Sequence, residues 1–239
     1  MNRTAIEHML REIGLRCVII EPGSTQSYAR ANPVAIDTVF VAESQPNGRG
    51  RGTKHFVSNP GGAYCSIVLK RSGTPREMMR YALLGALAVI DVLDGYGIAG
   101  GIKWPNDIKV GDKKISGMLT EYDASANSVI LGIGINVNNA LNGVEEIAVS
   151  MRALGIRTAP EEVIAKLCVA LQARETCDDY LKDYRARCVT LGLPIVLEDG
   201  TPAVAKEIDA GGFLIAEVEG GKRVTVANPG FLSPGDPVN

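Results

Sequence analysis

The sequence predicts an α+β fold in which mixed, mostly hairpin-connected strands and helices are followed by a small β barrel. Two observations lead to this prediction. Apolar segments of strand length alternate with amphipathic helical segments over residues 1–190. After Gly192 the pattern changes to short β-type segments separated by Asp-Gly and Gly-Gly turns. We therefore expect two domains in the 239 residues, one over 1–190 and one over 191–239.

The N-terminal region predicts a helix, a strand and a second helix. Thr4 and Glu7 form a capping-box pattern that opens a short helix, and Gly14 closes it. Residues 17–20 are apolar and predict a buried strand. Ser24 then has the side chain of a good N-cap for the second helix, so we expect a junction between strand and helix at this point.

The next region predicts two buried strands that are separated by a long loop. Residues 39–42 and 63–69 are apolar and have strand length, whereas residues 44–54 are polar, glycine-rich and without any period. Thr74, followed by proline, predicts the start of a long helix that ends at Gly95. The apolar residues of this helix recur at helical spacing, which indicates a buried face.

A hairpin and a further strand follow this helix. The turn Gly111-Asp112 lies between apolar segments at 108–110 and 115–121, which is a good hairpin signal. Residues 129–137 (VILGIGINV) predict a third, glycine-containing strand, and a helical segment is predicted from Pro160 to about Cys188.

The C-terminal region consists of short β-type segments at close, regular spacing. This spacing is typical of a small β barrel. The predicted strands cover residues 195–197, 204–208, 213–218 and 224–227.

Composition and charge exclude several classes of protein. The chain has 25 basic and 27 acidic residues, so it lacks the basic excess that is typical of nucleic-acid-binding proteins. The longest apolar stretch, Ala82 to Leu93, is interrupted by Asp91 and is shorter than the roughly 18 apolar residues of a membrane span. The first twenty residues contain several charges where a signal peptide would be apolar. We expect a soluble, cytoplasmic protein that binds neither DNA nor membranes.

The cysteines predict neither a zinc site nor a redox motif. They number five, an odd count, and none forms a C-x-x-C pair or has a nearby histidine partner. We expect reduced thiols, several of them in the core.

The loop from Gln45 to Lys54 is the first candidate for chemistry. Three glycines and three cations fall within residues 48–54. Glycines let the backbone fold closely around a ligand, and free N–H groups with guanidinium groups suit carboxylate and phosphate. The loop matches neither a Walker A motif nor G-x-G-x-x-G. Taken alone, the loop is a weak signal: a solvated basic loop is the first alternative, and an RNA contact is a second.

The second candidate is the segment from Lys103 to Asp107 (KWPND) together with Lys114. Asn and Asp side chains can hold Mg²⁺ that is bridged to phosphates, lysine can neutralise those phosphates, and tryptophan can stack on a ring. The predicted hairpin returns Lys114 to this cluster. The alternative for these five residues alone is a packed tryptophan followed by a Pro-Asn turn.

Together these motifs resemble those of the biotin protein ligase family, in the order and approximate spacing of that family. The resemblance extends over nearly the whole chain, and GRGR followed by KWPND is its most specific part. The matching segments are STQ (24–26), Q-x-x-G-R-G-R (45–51), KWPND (103–107), KISG (114–117), GIGINVN (132–138) and the β tail.

The resemblance implies a role for each matching residue. Ser24, Thr25 and Gln45 would hold the ureido ring of biotin, and glycines would allow its close approach. Arg51 and Lys114 would be the catalytic residues. The residues implied in biotin binding are Ser24, Thr25, Gln26, Gln45, Arg49, Gly50, Arg51, Lys114, Gly117, Gly132 and Gly134. Those implied in ATP binding are Arg49, Lys103, Trp104, Asn106, Asp107 and Asn136, with Asp107 also a ligand of Mg²⁺ through the phosphates.

The resemblance also implies a reaction, a fold and partners. The enzyme would form biotinyl-5′-AMP from biotin and MgATP and then transfer biotin to a lysine of a biotin carboxyl carrier protein. Residues 1–190 would form a catalytic domain with a class II aminoacyl-tRNA-synthetase-like sheet, and residues 191–239 an SH3-like barrel. Only 23 residues precede Ser24, too few for the DNA-binding winged helix of some relatives. A homodimer is consistent with the resemblance.

The sequence departs from the family pattern at several positions. Gln26 stands where asparagine is usual, and Gly23 where aspartate is usual. Thr53 replaces a glycine of the loop, and Phe56 occupies the usual tryptophan position. Two rival functions are a lipoate or octanoate transferase, which would need a long apolar tunnel, and a noncatalytic RNA-binding module, which would depend on the loop alone.

Overall fold

The computed structural model describes residues 1–20, 23–32, 36–50, 52, 55–69 and 73–226. Within these residues it contains five α-helices and eleven strands. The helices are α1 (Arg3–Glu12), α2 (Thr25–Ala31), α3 (Pro75–Gly95), α4 (Pro160–Glu175) and α5 (Tyr180–Arg187). The strands are β1 (Arg16–Ile19), β2 (Thr38–Ala42), β3 (Ala63–Leu69), β4 (Gly101–Lys103), β5 (Asp107–Val110), β6 (Lys113–Asp123), β7 (Ser128–Ile135), β8 (Pro194–Val196), β9 (Pro202–Ile208), β10 (Leu214–Val218) and β11 (Arg223–Val226).

The first seven strands form one mixed sheet in the order β1-β2-β3-β7-β6-β5-β4. Only the β1–β2 pair is parallel, and the other five pairs are antiparallel. The predicted hairpin over the Gly111-Asp112 turn is present as β5–β6. The expected α+β fold with a mixed, mostly antiparallel sheet flanked by helices is therefore confirmed.

Alternation along the strands gives the sheet two different faces. On β7, Leu131 and Ile133 point into the main core with α3 and α4, whereas Ile130 belongs to a smaller cluster with α2. Since side chains alternate along a strand, Gly132 and Gly134 lie on the α2 face. The long helix α3 is buried along most of its length and covers the main core face.

The helix boundaries show which local signals the structure uses. Ser24 is the N-cap of α2, and its Oγ accepts a hydrogen bond from the Ser27 amide at 3.3 Å. Thr74 likewise caps α3. The first helix begins before the capping-box pattern, because Asn2 is its N-cap and accepts from the Ala5 amide at 3.1 Å.

The long helix predicted from Pro160 to about Cys188 is wrong in one respect, since the structure divides it into α4 and α5. The break contains threonine and aspartate residues, which are weak helix formers. Arg174 holds the two pieces in place: its Nε donates to Asp91 of α3 at 2.7 Å, and its Nη1 to Asp183 of α5 at 2.5 Å.

The strands β8 to β11 form a separate antiparallel sheet in the order β11-β10-β9-β8. Its strand bounds agree with the predicted segments to within about two residues, the usual disagreement between methods. The four strands are paired as an open series in the residues that the structure describes. Closure into a barrel remains a prediction.

Several of the thiols lie in the core, as the composition predicted. All five cysteines are free, and Cys65, Cys168 and Cys188 are buried. Burial raises the pKa of the Cys65 thiol to about 12, so it stays protonated and unreactive at neutral pH. In the described ranges, no helix combines the length and the apolar character that crossing a bilayer requires.

Candidate active site

Three glycines form a bare floor on the α2 face of the sheet. Gly117 of β6 pairs with Gly134 of β7, and Gly132 lies two residues along the same strand. Each is covered by a side chain: a Cβ at Gly134 would lie 2.7 Å from the Phe56 ring of the loop before β3, and one at Gly117 would lie 2.7 Å from Nζ of Lys114, three residues earlier on the same strand. Only glycine fits this floor without displacing the groups above it.

A network of hydrogen bonds at the start of α2 borders the floor. The Thr25 amide and hydroxyl both donate to Gln45 Oε1, at 2.9 and 3.1 Å, and Gln45 Nε2 donates to Ser58 Oγ at 3.1 Å. The Oγ atom of Ser66, on β3, lies 2.8 Å from the Oγ1 atom of Thr25. Because Ser24 caps α2, the helix backbone fixes Thr25 towards this network.

Gln26, at the position where the family has asparagine, lies directly over the floor. Its side chain is buried, and its Oε1 lies 2.5 Å from the position of a Cβ at Gly132. Its Nε2 donates to the Ile130 carbonyl at 3.2 Å, and its Oε1 is 3.0 Å from Ser66 Oγ. The amide of Gln26 is therefore bonded to β7 and β3, and it fills the space over Gly132.

The described part of the cationic loop, residues 45–50, 52 and 55–58, lies across the floor. Two isolated antiparallel β-bridges hold this part of the loop, one between Gln45 and Ser58 and the other between Arg49 and His55. Phe56 stands with its ring over Gly134 and its edge towards Tyr64, with ring centroids 6.4 Å apart. The predicted site residue Arg51, together with Thr53 and Lys54, lies outside the described residues.

Arg49 is paired with a carboxylate that the sequence analysis did not identify. Its Nη1 and Nη2 donate to Glu121 Oε2 and Oε1 at 2.8 and 2.9 Å, and Arg30 of α2 reaches the same Oε1 at 3.2 Å. Glu121 is on β6, four residues from Gly117. At about 3.3 Å per residue, this places the pair roughly 13 Å along the strand from Gly117.

Lys114 lies at the opposite end of the floor. Its Nζ is 2.7 Å from Asp107 Oδ1 and 5.6 Å from the centroid of the Phe56 ring. Its backbone is fixed by hydrogen bonds to the segment at Ile147 and Val149. The hairpin therefore brings Lys114 to the KWPND segment, as its spacing predicted.

Two asparagines of the predicted nucleotide site hold neighbouring backbone in place. Asn106 Nδ2 donates to the Met118 carbonyl at 2.5 Å, beside Gly117. Asn136 is buried, donates to the Val149 carbonyl at 3.2 Å, and accepts from Asn139 at 3.1 Å. Both side chains thus order the chain around Lys114. Of the other predicted residues, Lys103 is the last residue of β4, and Gly50 lies in the loop.

Trp104 occupies a different environment from the other predicted site residues. Its side chain is buried, with 2% of the residue exposed, and its Nε1 donates to the Gly212 carbonyl in the turn between β9 and β10 at 3.0 Å. Its backbone amide donates to Thr190 Oγ1 at 2.8 Å. The indole therefore joins the two sheets, which is the packing alternative considered for this segment.

Three residues at the site were not predicted from the sequence: Ser66, Ser58 and Glu121. Ser66 had a signal, because it is a polar residue in the middle of the otherwise apolar segment 63–69. Neither Ser58 nor Glu121 had one, since each is placed at the site only by the pairing of distant segments.

The arrangement suits a ligand with a polar end and an anionic end. The Thr25–Gln45 pair places polar groups near one end of the floor, Lys114 places a cation at the other, and the side chains of Gln26 and Phe56 lie over the glycines between them. Among the described residues, no group of three or more His, Cys, Asp or Glu side chains could enclose a metal. Asp107 alone fits a cation whose other ligands come from phosphate and water.

Comparison with known proteins gives a consistent result. Residues 23–138 match the family model described as the biotin/lipoate A/B protein ligase family. The chain is 31% identical over 231 residues to the biotin–acetyl-CoA-carboxylase ligase of Mycobacterium tuberculosis, an alignment that covers 88% of this chain and 85% of that protein. It is 36% identical over 147 residues to the bifunctional ligase/repressor BirA of Bacillus subtilis. That alignment spans 57% of this chain but only 45% of the relative.

A solved structure shares the fold over nearly the whole chain. The biotin protein ligase from Aquifex aeolicus in complex with biotin and ATP superposes with a TM-score of 0.77 and 26% sequence identity. The superposition covers 90% of this chain and 97% of that one.

Proposed function

The chain belongs to the biotin protein ligase family, and on that premise we propose that this ligase forms biotinyl-5′-AMP from biotin and ATP and transfers the biotin to a lysine of a biotin carboxyl carrier domain. One observation supports this most directly. The glycine floor has the Thr25–Gln45 amide and hydroxyl groups near one end and the Lys114 ammonium at the other. Biotin has the same polarity, with a polar ureido ring at one end and a carboxylate at the other.

In the first step a biotin carboxylate oxygen forms a bond to the α-phosphorus of ATP, and the bond to the pyrophosphate oxygen breaks. The carboxylate needs no general base. At neutral pH, well above its usual pKa of about 4, it is already ionised. The obstacle is repulsion between two anions, which amounts to several kcal/mol once water is excluded. Lys114 and Lys103 would offset this repulsion, so catalysis consists mainly of positioning and charge stabilisation.

Asp107 is the residue that would hold Mg²⁺. In the structure its Oδ1 lies 2.7 Å from Lys114 Nζ, so the metal would bind beside this lysine. Mg²⁺ usually keeps several waters and binds through one or two carboxylates plus substrate phosphates, which agrees with a single carboxylate here. When bound, the metal supplies neutralising charge to the leaving pyrophosphate.

In the second step the amine of the acceptor lysine attacks the activated carboxyl carbon. An amide bond forms, the bond between that carbon and the AMP oxygen breaks, and the amine loses a proton to solvent. Biotinyl-AMP is a mixed anhydride that water destroys, so the cationic loop over the floor would also protect it. Arg51 would contribute to this cover, as the family resemblance implies.

The glycine floor gives a quantitative prediction for biotin binding. Gly134→Ala places a methyl group 2.7 Å from the Phe56 ring, so ring and loop must shift. Overpacking of this kind costs about 1 to 3 kcal/mol, and we expect biotin to bind about 10- to 100-fold more weakly by calorimetry.

A suitable control for this variant is Gly95→Ala at the end of α3, where an added methyl group meets nothing within 4 Å. It should leave biotin affinity unchanged. Equal biotin affinity in Gly134→Ala and the parent protein would place the biotin ring somewhere other than on this floor.

The proposed function is tested by mixing the protein with ATP, Mg²⁺, labelled biotin and a biotin carboxyl carrier domain. We expect label on the carrier lysine, with one AMP and one pyrophosphate released for each biotin transferred. A carrier with its acceptor lysine replaced by arginine is the control and should remain unlabelled. Transfer of octanoate or lipoate in place of biotin would refute the assignment.

A further inference from the structure

The ion pair between Arg49 and Glu121 is the most complete charge contact at the site. Each terminal nitrogen of the guanidinium meets a different carboxylate oxygen, at 2.8 and 2.9 Å. Glu121 is well covered, with 18% of its side chain exposed, and Arg49 is 36% exposed. A bidentate pair of this geometry is stronger and more directional than a single surface contact.

The pair connects the cationic loop to the middle of the sheet. Glu121 faces Ile130 across β6 and β7, so its side chain lies on the same face as the glycine floor. Arg49 also forms the β-bridge with His55, and the next residue, Phe56, is the one whose ring covers Gly134. A fixed Arg49 therefore fixes the path of the loop backbone towards Phe56.

The charges favour an anchoring role for Arg49 over direct neutralisation of a substrate. Both Glu121 oxygens are engaged by Arg49, and Oε1 is also reached by Arg30. To bind a substrate anion instead, the Arg49 guanidinium would have to give up two charge-assisted hydrogen bonds. The well-covered Glu121 carboxylate would then keep only its contact with Arg30. The backbone of the loop can approach a ligand while the side chain stays on Glu121.

We propose that Glu121 is a positioning residue that holds Arg49 and thereby keeps residues 45–50 across the glycine floor. Glu121 would thus set the affinity for biotin without touching it. This inference depends on the proposed function only for the identity of the ligand. The anchoring itself is a property of the protein without ligand.

A double-mutant cycle separates anchoring from competition. If Glu121 anchors the loop, Glu121→Gln and Arg49→Gln should each raise KM for biotin about three- to tenfold with little change in the kcat of biotinyl-AMP formation. The double variant should be no worse than either single one, because all three lose the same contact. If Glu121 merely occupies an arginine that substrate needs, Glu121→Gln should lower KM while Arg49→Gln raises it. Either that opposite sign or an unchanged KM in Glu121→Gln would overturn the proposal.

Hydrogen exchange of the protein without ligand provides the second measurement. We expect amides in residues 45–50 and 55–58 to exchange about three- to tenfold faster in Glu121→Gln and Arg49→Gln, while β3 and β7 stay protected. Arg30→Gln is the matched control, since it removes the other contact to the same carboxylate and should leave the loop protected. Unchanged loop exchange in Glu121→Gln refutes the anchor, even if the protein proves not to use biotin. Conversely, faster loop exchange without any biotinyl-AMP formation would reject the proposed function alone.

Discussion

Replacement of Lys114 by alanine is expected to slow biotinyl-AMP formation by a factor of about 10² to 10³. Removing one preorganised group that stabilises developing charge typically costs about 3 to 4 kcal/mol in the transition state. Lys114 is well suited to this role because its Nζ stands at Gly117, 2.7 Å from Asp107. The variant would also leave Asp107 without its cation, next to incoming phosphates. ATP–pyrophosphate exchange in the presence of biotin measures this step alone.

Lys113 provides the matched control for this prediction. It is the preceding residue on the same hairpin, but its Nζ donates to the Glu145 carbonyl at 2.7 Å on the exposed side. Lys113→Ala should therefore retain nearly all exchange activity. Lys114→Arg should recover part of the loss by restoring charge, though with a different shape. Near-normal pyrophosphate exchange in Lys114→Ala would contradict the catalytic role.

Trp104→Ala is expected to reduce the free energy of unfolding by about 3 to 5 kcal/mol. This is the usual cost of truncating a fully buried tryptophan to alanine. The loss has two parts here, because the indole fills space between the two sheets and its N–H satisfies the Gly212 carbonyl. Urea unfolding curves of the variant and the parent protein, fitted with the same m-value, measure this change in the free energy of unfolding.

Trp104→Phe separates the two parts. It keeps most of the ring but removes the donor, so we expect a loss of about 1 to 3 kcal/mol from the unsatisfied Gly212 carbonyl. KM for ATP in this variant should stay close to that of the parent protein. A large rise in KM for ATP with unchanged stability would instead show that Trp104 serves the nucleotide, as the family resemblance implies.

Local signals predicted many of the elements around the site. The capping serine at Ser24, the long helix ending at Gly95 and the turn at Gly111-Asp112 were all recognisable, because each depends on a few neighbouring residues. The long α4–α5 prediction failed for the opposite reason. Both halves are helical, and the placement of α5 after the weak helix formers at 176–179 involves tertiary contacts, such as those of Arg174 with Asp91 of α3 and Asp183 of α5.

The site itself could be only partly predicted. Its glycines and its basic loop are local features, and their order gave the family resemblance. Ser66 and Glu121 enter the site because β3, β7 and β6 are neighbours in the sheet, although they are distant along the chain. No local sequence pattern predicts which strands will be neighbours in the sheet.

By itself, the sequence determined most of the strands and helices, which of their faces are apolar, and which motifs carry charge and glycine. These properties follow from short-range periodicity and backbone preference, so they can be recognised without a structure. Tertiary structure alone decided that Trp104 packs against the second sheet and that Arg49 is bound to Glu121. An indole or a guanidinium has the same chemistry whether it meets a ligand or the protein, and only the packing of distant segments selects its partner.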